Sequence, residues 1–339
     1  MLAILLLVTG CTGRDPEEAE PYSQSQPDMQ AQVQNTDPEK RVIREAAWCV
    51  YWYPGSLSAA NASFTRYREL VLFGCIYSED HSLFLPKQLE ELIAEMPGAD
   101  ADDGVQRYLS FINDVMHPDG TATQKSVEFL QAVLTDAEAS DRVINDMIRQ
   151  TLSGGFDGLE LDYENMHRGD SLWDSYVEFV SRLYERSVSE GLRLRVILPV
   201  SAPVEKLELP EGPQYVVMCY NLYGNHSGPG PKADEDFLRE TCQRFEGLDA
   251  GYALANGGFE WGPDGKAIRS LTAAEAADLA SQQNASEIRE ESGALRFTYQ
   301  AGDGEHTVVY GDEETIEKWS MMLLESADRD VRINLWRLE

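Results

Sequence analysis

Positive charge is scarce in this 339-residue chain. Lys and Arg together number 28 against 59 Asp and Glu, for a formal net charge of −31. A surface of that sign repels phosphate backbones and excludes a nucleic-acid partner. The apolar run Leu2 to Val8 is too short to cross a bilayer as a mature helix. The five histidines, His81, His117, His167, His226 and His306, form no metal-ligand pair and read as loop residues. Besides Cys11 there are only Cys49, Cys75, Cys219 and Cys242. Their spacing fits no zinc site, and three of them lie in apolar strand-like runs as small core residues. Spacing leaves open whether any two form a disulfide. There is no glycine-rich phosphate loop and no internal repeat, so no metal or cofactor is expected.

Short as it is, the Leu2 to Val8 run matches the apolar core of a secretion signal. The tetrad Val8-Thr9-Gly10-Cys11 resembles a bacterial lipoprotein signal. That resemblance implies removal of residues 1–10, lipidation of Cys11 and an extracytoplasmic chain anchored to the membrane. Residues 11–40 then form an acidic tether, rich in Gln, Pro and Ser and too poor in large apolar side chains to bury a core. A flexible segment of this length reaches about 30 Å.

Residues 41–339 are enough for one large α/β domain. Strand-like and helix-like runs alternate, which predicts a parallel sheet. The strands are expected at Trp48–Tyr53, Leu70–Tyr77, Tyr108–Asn113, Phe156–Glu164, Leu192–Val200, Tyr215–Leu222, Ala250–Asn256 and Val331–Trp336. Eight strands with intervening helices is the count of a (β/α)8 TIM barrel. The clearest helix follows the fourth strand. There Leu172, Tyr176, Phe179, Val180 and Leu183 recur at helical spacing, and Gly191 stands at the C-terminal cap. Between the seventh and eighth strands, Leu295–Gln300 and His306–Tyr310 flank a hairpin signal, predicting a small β-rich insertion over about 265–312.

The chemistry is concentrated in Phe156-Asp157-Gly158-Leu159-Glu160-Leu161-Asp162-Tyr163-Glu164. Alternation sends Leu159, Leu161 and Tyr163 to one face and Glu160, Asp162 and Glu164 to the other. Carboxylates crowded on one strand face repel each other and lose hydration, a cost with no structural return. A solvated edge strand would avoid that cost, but Phe156 and the leucines read as a strand packed under helices. Barrel enzymes carry their reacting side chains at the C-terminal strand ends, where Glu164 falls. Successive same-face residues rise by about 6–7 Å, close enough to perturb one another's titration. The carboxyl nearest solvent is then expected to hold a proton and act as general acid.

This run resembles the Asp-x-x-Asp-x-Asp-x-Glu signature of glycoside hydrolase family 18, a family of chitinases, endo-β-N-acetylglucosaminidases, some peptidoglycan hydrolases and inactive chitin-binding lectins. The resemblance implies a barrel whose general acid is Glu164 and whose acetamido-orienting carboxylate is Asp162. Glu160 stands where the family has the middle Asp. Met218-Cys219-Tyr220-Asn221 resembles the family's Met-x-Tyr-Asp motif. Tyr220 would hydrogen-bond the acetamido carbonyl, and Asn221 replaces an Asp. Trp336, ending the eighth strand, matches the Trp that floors the sugar. The implied reaction is substrate-assisted and retaining: the substrate's own N-acetyl oxygen is the nucleophile.

Around these, Trp52, Tyr223, Asn113 and Trp261 lie near expected strand ends and are candidate sugar contacts, with core packing the alternative for each. The resemblance implies an N-acetylglucosamine-containing glycan as partner, and a monomer is expected. Two functions are weighed: a glycosidase acting on β-1,4-linked N-acetylglucosamine, and a carbohydrate-binding lipoprotein with a disabled barrel. Glu164, Asp162 and Tyr220 favour the first; Glu160 and Asn221 keep the second open. Chitin oligomers, peptidoglycan and the N-glycan core remain alternative substrates.

Overall fold

The computed structural model describes residues 40–53, 55, 66–96, 104–166 and 172–338. The expected signal segment, Cys11 and nearly all of the tether lie outside them. Eight parallel strands close on themselves: β1 (Val42–Val50), β2 (Glu69–Ser78), β3 (Gln106–Met116), β4 (Gly158–Asp162), β5 (Arg193–Pro199), β6 (Gln214–Met218), β7 (Ala250–Ala255) and β8 (Val331–Trp336). Each pairs in parallel with the next, and β8 returns to β1 through Val42↔Val331 and Ala47↔Leu335. The result is a closed (β/α)8 barrel, which leaves no open edge among these strands.

Strand alternation divides the core in two. Outward residues such as Leu159, Leu161, Leu194, Val196 and Val217 pack under the helices in one continuous apolar layer. Inward residues Trp48, Val71, Tyr108, Ile197, Val216, Met218 and Ala253 form a second, smaller cluster inside the barrel. Each large apolar side chain fully buried this way contributes roughly 1.5–3 kcal/mol.

The helices begin where the sequence supplies a side-chain acceptor for free N–H groups. Helix 127–134 starts at Ser126, whose Oγ accepts from Phe129 N at 3.2 Å. Helix 137–153 starts at Asp136, which accepts from Ala139 N at 2.7 Å. After helix 172–189 the chain turns at Gly191 with φ +75°, a conformation that favours glycine.

The insertion after β7 is larger than the expected 265–312. Its five strands, 257–261, 267–271, 288–289, 295–301 and 304–311, form an antiparallel sheet backed by helix 273–282. It has its own small core of Leu271, Ala276, Leu279, Phe297, Val308 and Tyr310. The hairpin register ends at Ala301↔Gly304, leaving Gly302-Asp303 as the turn. The insertion starts early because Gly257-Gly258 conceals a strand. A Cβ on Gly258 would lie 1.9 Å from the Val309 carbonyl oxygen, so glycine here permits close strand pairing.

Candidate active site

The three carboxylates of the acidic run stand at three depths in three environments. Glu160 is fully buried inside the barrel. The Trp48 indole Nε1 donates to its Oε1 at 2.7 Å, and Arg195 Nε donates to its Oε2 at 3.0 Å. Asp162, one step nearer the mouth, ends β4; its Oδ1 is buried with no hydrogen-bond partner. Glu164 lies beyond the strand, where Lys125 Nζ meets its Oε1 at 2.5 Å.

Asn113 of β3 holds the main chain at Glu164 from both sides. Its Oδ1 accepts from Glu164 N at 2.9 Å, and its Nδ2 donates to the Glu164 carbonyl at 3.1 Å. The expectation that Asn113 contacts sugar is therefore corrected. It is 1% exposed, and its amide is committed to backbone groups. It positions the end of β4.

Lys125 belongs to the loop after β3 and adopts φ +51°. Its N–H donates to Asp114 Oδ1 at 2.7 Å, and its carbonyl accepts from Asn165 Nδ2 at 3.1 Å. The backbone is thus fixed on both sides of the residue that carries the ammonium to Glu164.

Burial pushes the Asp162 carboxyl well above the usual range, and the negative charges of Glu164 and Glu160 add to the rise; Lys125 opposes them. Desolvation penalises the charged form of a carboxyl held this far from water. Burial likewise raises the Tyr220 phenol, helped by Asp162, Glu164 and Glu160. Tyr220 thus shares one electrostatic neighbourhood with all three carboxylates and keeps its proton to donate.

Trp336 lies beside this group. Its ring runs nearly parallel to Tyr220 (11°, centroids 6.4 Å apart) and meets Trp48 and Phe73 edge-on at 5.8 and 4.8 Å. Phe73 in turn meets Trp52 at 5.7 Å, and Trp52 is 48% exposed. A row of aromatic rings therefore leads from the mouth of the barrel to solvent. The peptide bond after Trp336 is cis.

The remaining candidates separate. Asn221 and Tyr223 are exposed on the loop after β6, and a Cβ on Gly230 would come 2.3 Å from the Tyr223 ring, so the ring rests on that glycine. Met218 is buried in the interior cluster, against which Tyr220 and Trp336 pack. Trp261 is 0% exposed, and its indole donates to the Ser227 carbonyl at 3.0 Å. It is a core residue that ties the insertion to the loop after β6, which corrects its expected role as a sugar contact.

Arg195 and Lys125 escaped the sequence reading. Arg195 sits in Leu-Arg-Leu-Arg-Val-Ile-Leu, and the signal was there: alternation places it on the inward face of β5. Lys125 lies in a loop with no motif around it. Among the described residues, no group of three His, Cys, Asp or Glu could hold a metal ion, and no helix is long and apolar enough to cross a membrane. The four described cysteines are buried and unbridged.

No family model matches the chain, and no curated protein matches it in sequence. Solved structures do match in fold. A chitinase from Chromobacterium violaceum is 17% identical with a TM-score of 0.68, covering 88% of this chain and 94% of that one. The spore cortex-lytic enzyme SleL of Bacillus megaterium is 16% identical with a TM-score of 0.70, covering 89% and 72%. A GH18 chitinase from Cycas revoluta, solved in complex with (GlcNAc)3, is 15% identical with a TM-score of 0.65, covering 87% and 95%. The chain thus has the TIM-barrel fold of GH18 chitinases and of a cortex-lytic enzyme.

Proposed function

We propose that this chain is a glycoside hydrolase of the family 18 type, cleaving β-1,4 bonds at N-acetylglucosamine by a substrate-assisted retaining reaction. The observation that carries the reading is the grouping of Asp162, Glu164 and Tyr220 at the C-terminal mouth of the barrel, beside the Trp336 ring. Glu164 donates a proton to the leaving glycosidic oxygen as the C–O bond breaks. The substrate's acetamido oxygen attacks the anomeric carbon, oriented by Tyr220. Asp162 stabilises the positive charge that develops on the resulting ring. Water then attacks the anomeric carbon, its bond to the acetamido oxygen breaks to restore the N-acetyl group, and the water gives up a proton to Glu164. Positioning and preorganised charge supply most of the acceleration, since the nucleophile is already part of the substrate. Trp52 and Tyr223 extend the binding surface.

The chain acts outside the cytoplasm, held to the membrane by a lipid on Cys11, as the Val-Thr-Gly-Cys tetrad supports. Fatty-acid labelling that disappears in Cys11→Ser tests this. Labelling unchanged by that substitution would refute it.

Release of reducing ends from chitin oligomers, peptidoglycan and a high-mannose glycopeptide tests the activity. Glu164→Gln is expected to lower cleavage by about 10²–10⁴-fold while sugar binding persists. The second reading, a carbohydrate-binding protein with an idle barrel, is favoured by the ion pair Lys125 makes with Glu164. Binding of these sugars with no cleavage by the unaltered chain would establish it.

A further inference from the structure

Below the mouth, Glu160 has both carboxylate oxygens occupied, by the Trp48 indole at 2.7 Å and by Arg195 Nε at 3.0 Å. Arg195 is completely enclosed. Its Nη1 pairs with Glu69, and its Nη2 donates to Asn334 Oδ1 at 2.9 Å. Its guanidinium carbon lies 5.6 Å from the Trp48 ring centre and 5.4 Å from that of Tyr108. A guanidinium so held does not lose its charge and has no path to water. A proton on Glu160 would have to displace one of two good donors. Asp162 is different, since its buried Oδ1 has no partner to displace.

We propose that Arg195 is a positioning residue that holds Glu160 as a fixed, neutralised anion and so confines the exchangeable proton of the site to the Asp162–Glu164 pair. Without a counter-ion, three stacked carboxylates would share protons among all three. With it, the lowest member drops out and the upper two exchange one proton across the mouth. Glu160 thus becomes a static part of the floor, with the longer side chain reaching Arg195. The other groups that bear on the pair are Lys125 and Asp114 from the β3 side, Tyr220 after β6 and Tyr176 of helix 172–189. Among these four, only Lys125 brings positive charge.

The inference rests on the reading of Asp162 and Glu164 as the reacting carboxylates, and an activity-independent measurement separates the two. Infrared titration of the full chain follows the C=O band of a protonated buried carboxyl, assigned by its loss in Asp162→Asn. Glu160→Gln removes an anion and leaves Arg195, so the Asp162 midpoint is expected to fall by about one pH unit, tenfold in proton affinity. Arg195→Met removes the cation, so the midpoint rises and a second acid band appears that is absent from Glu160→Gln/Arg195→Met. In that double variant the midpoint returns to within about half a unit of the parent. Where the chain is active, the basic limb of kcat/KM moves in the same directions. An Asp162 midpoint unmoved in Glu160→Gln, or a second acid band already present in the parent and lost in Glu160→Gln, overturns the proposal. Should Arg195→Met fail to fold, Glu160→Gln alone decides. Absence of hydrolysis on every glycan would refute the enzymatic reading and leave the titration equally decisive.

Discussion

Two buried acidic residues show how differently this chain accommodates a carboxylate away from water. Glu160 lies in the barrel interior, and Glu260 lies in the insertion. Glu160 shares Arg195 with Glu69, in a lattice that continues through Asn334 to Glu45. These members are buried, and only at the far end does a partly exposed cation join them, where Arg332 Nε meets Glu45 at 3.1 Å. Glu260 accepts from His306 Nδ1 at 2.6 Å, Tyr299 OH at 2.6 Å and Arg269 Nε at 2.7 Å, but the Arg269 side chain is half in solvent. Water can replace a partner at Glu260 and cannot at Glu160. The interior lattice is thus a closed arrangement whose parts fail together, while the insertion cluster is an open one that fails gradually.

The sharpest way to break this comparison is Arg195→Met. Removing one partner of a buried pair leaves uncompensated charge and is expected to cost about 3–5 kcal/mol. Pairing it with Glu160→Gln should recover part of that loss, measured by denaturant unfolding. An additive double variant would show that Glu160 and Arg195 do not depend on each other. Glu260→Gln should cost less, about 1–3 kcal/mol, because the group loses hydrogen bonds but its neighbours keep access to water. Equal losses from the two substitutions would erase the distinction.

A smaller effect concerns pH. The hydrogen bond to Glu260 raises the His306 imidazole above its ordinary value against the cost of burial, and Asp303 adds to the rise. Burial opposes the charge on Glu260, yet the hydrogen bonds from Tyr299, His306 and Arg269 outweigh it and hold the carboxyl below its usual range. The His306 contribution is fully present below the unfolded imidazole value near pH 6.5 and is lost as pH rises through the higher folded value. The Glu260 contribution is present above about pH 4.3 and is lost as pH falls through the lower folded value. Amide exchange in the 304–311 strand, corrected for its intrinsic pH dependence, should therefore speed up from pH 6 to pH 9. Protection that stays flat across that range would show that His306 does not hold the hairpin by its charge.

The barrel was legible because strand-like runs recur eight times with helix-like runs among them, and the outward side chains form one continuous apolar layer. Glu164 was legible as a candidate site residue because stacked carboxylates have no structural return. Facing was harder to read than position. Asn113 and Trp261 both stand near strand ends, yet one turns its amide to the backbone of Glu164 and the other is enclosed within the insertion, its indole on the Ser227 carbonyl. Arg195 was passed over although alternation places it on the inward face of β5, because the surrounding run of Leu, Val and Ile reads as an ordinary apolar strand. The five residues of β4 end at Asp162, so the outward step to Glu164 depends on Asn113, fifty-one positions earlier in the chain. Such distant dependence leaves no local pattern.

The joint between β7 and the insertion is a single residue, Asn256, between strands ending at Ala255 and beginning at Gly257. At the far end Asp312, which Arg289 grips at 2.7 Å, leads directly into helix 313–326. Trp261 adds a third fastening, to the loop that follows Tyr220. A part bolted at three points behaves as a bracket. Its seat on the barrel is set when the chain folds, so shifting it requires lengthening these joints.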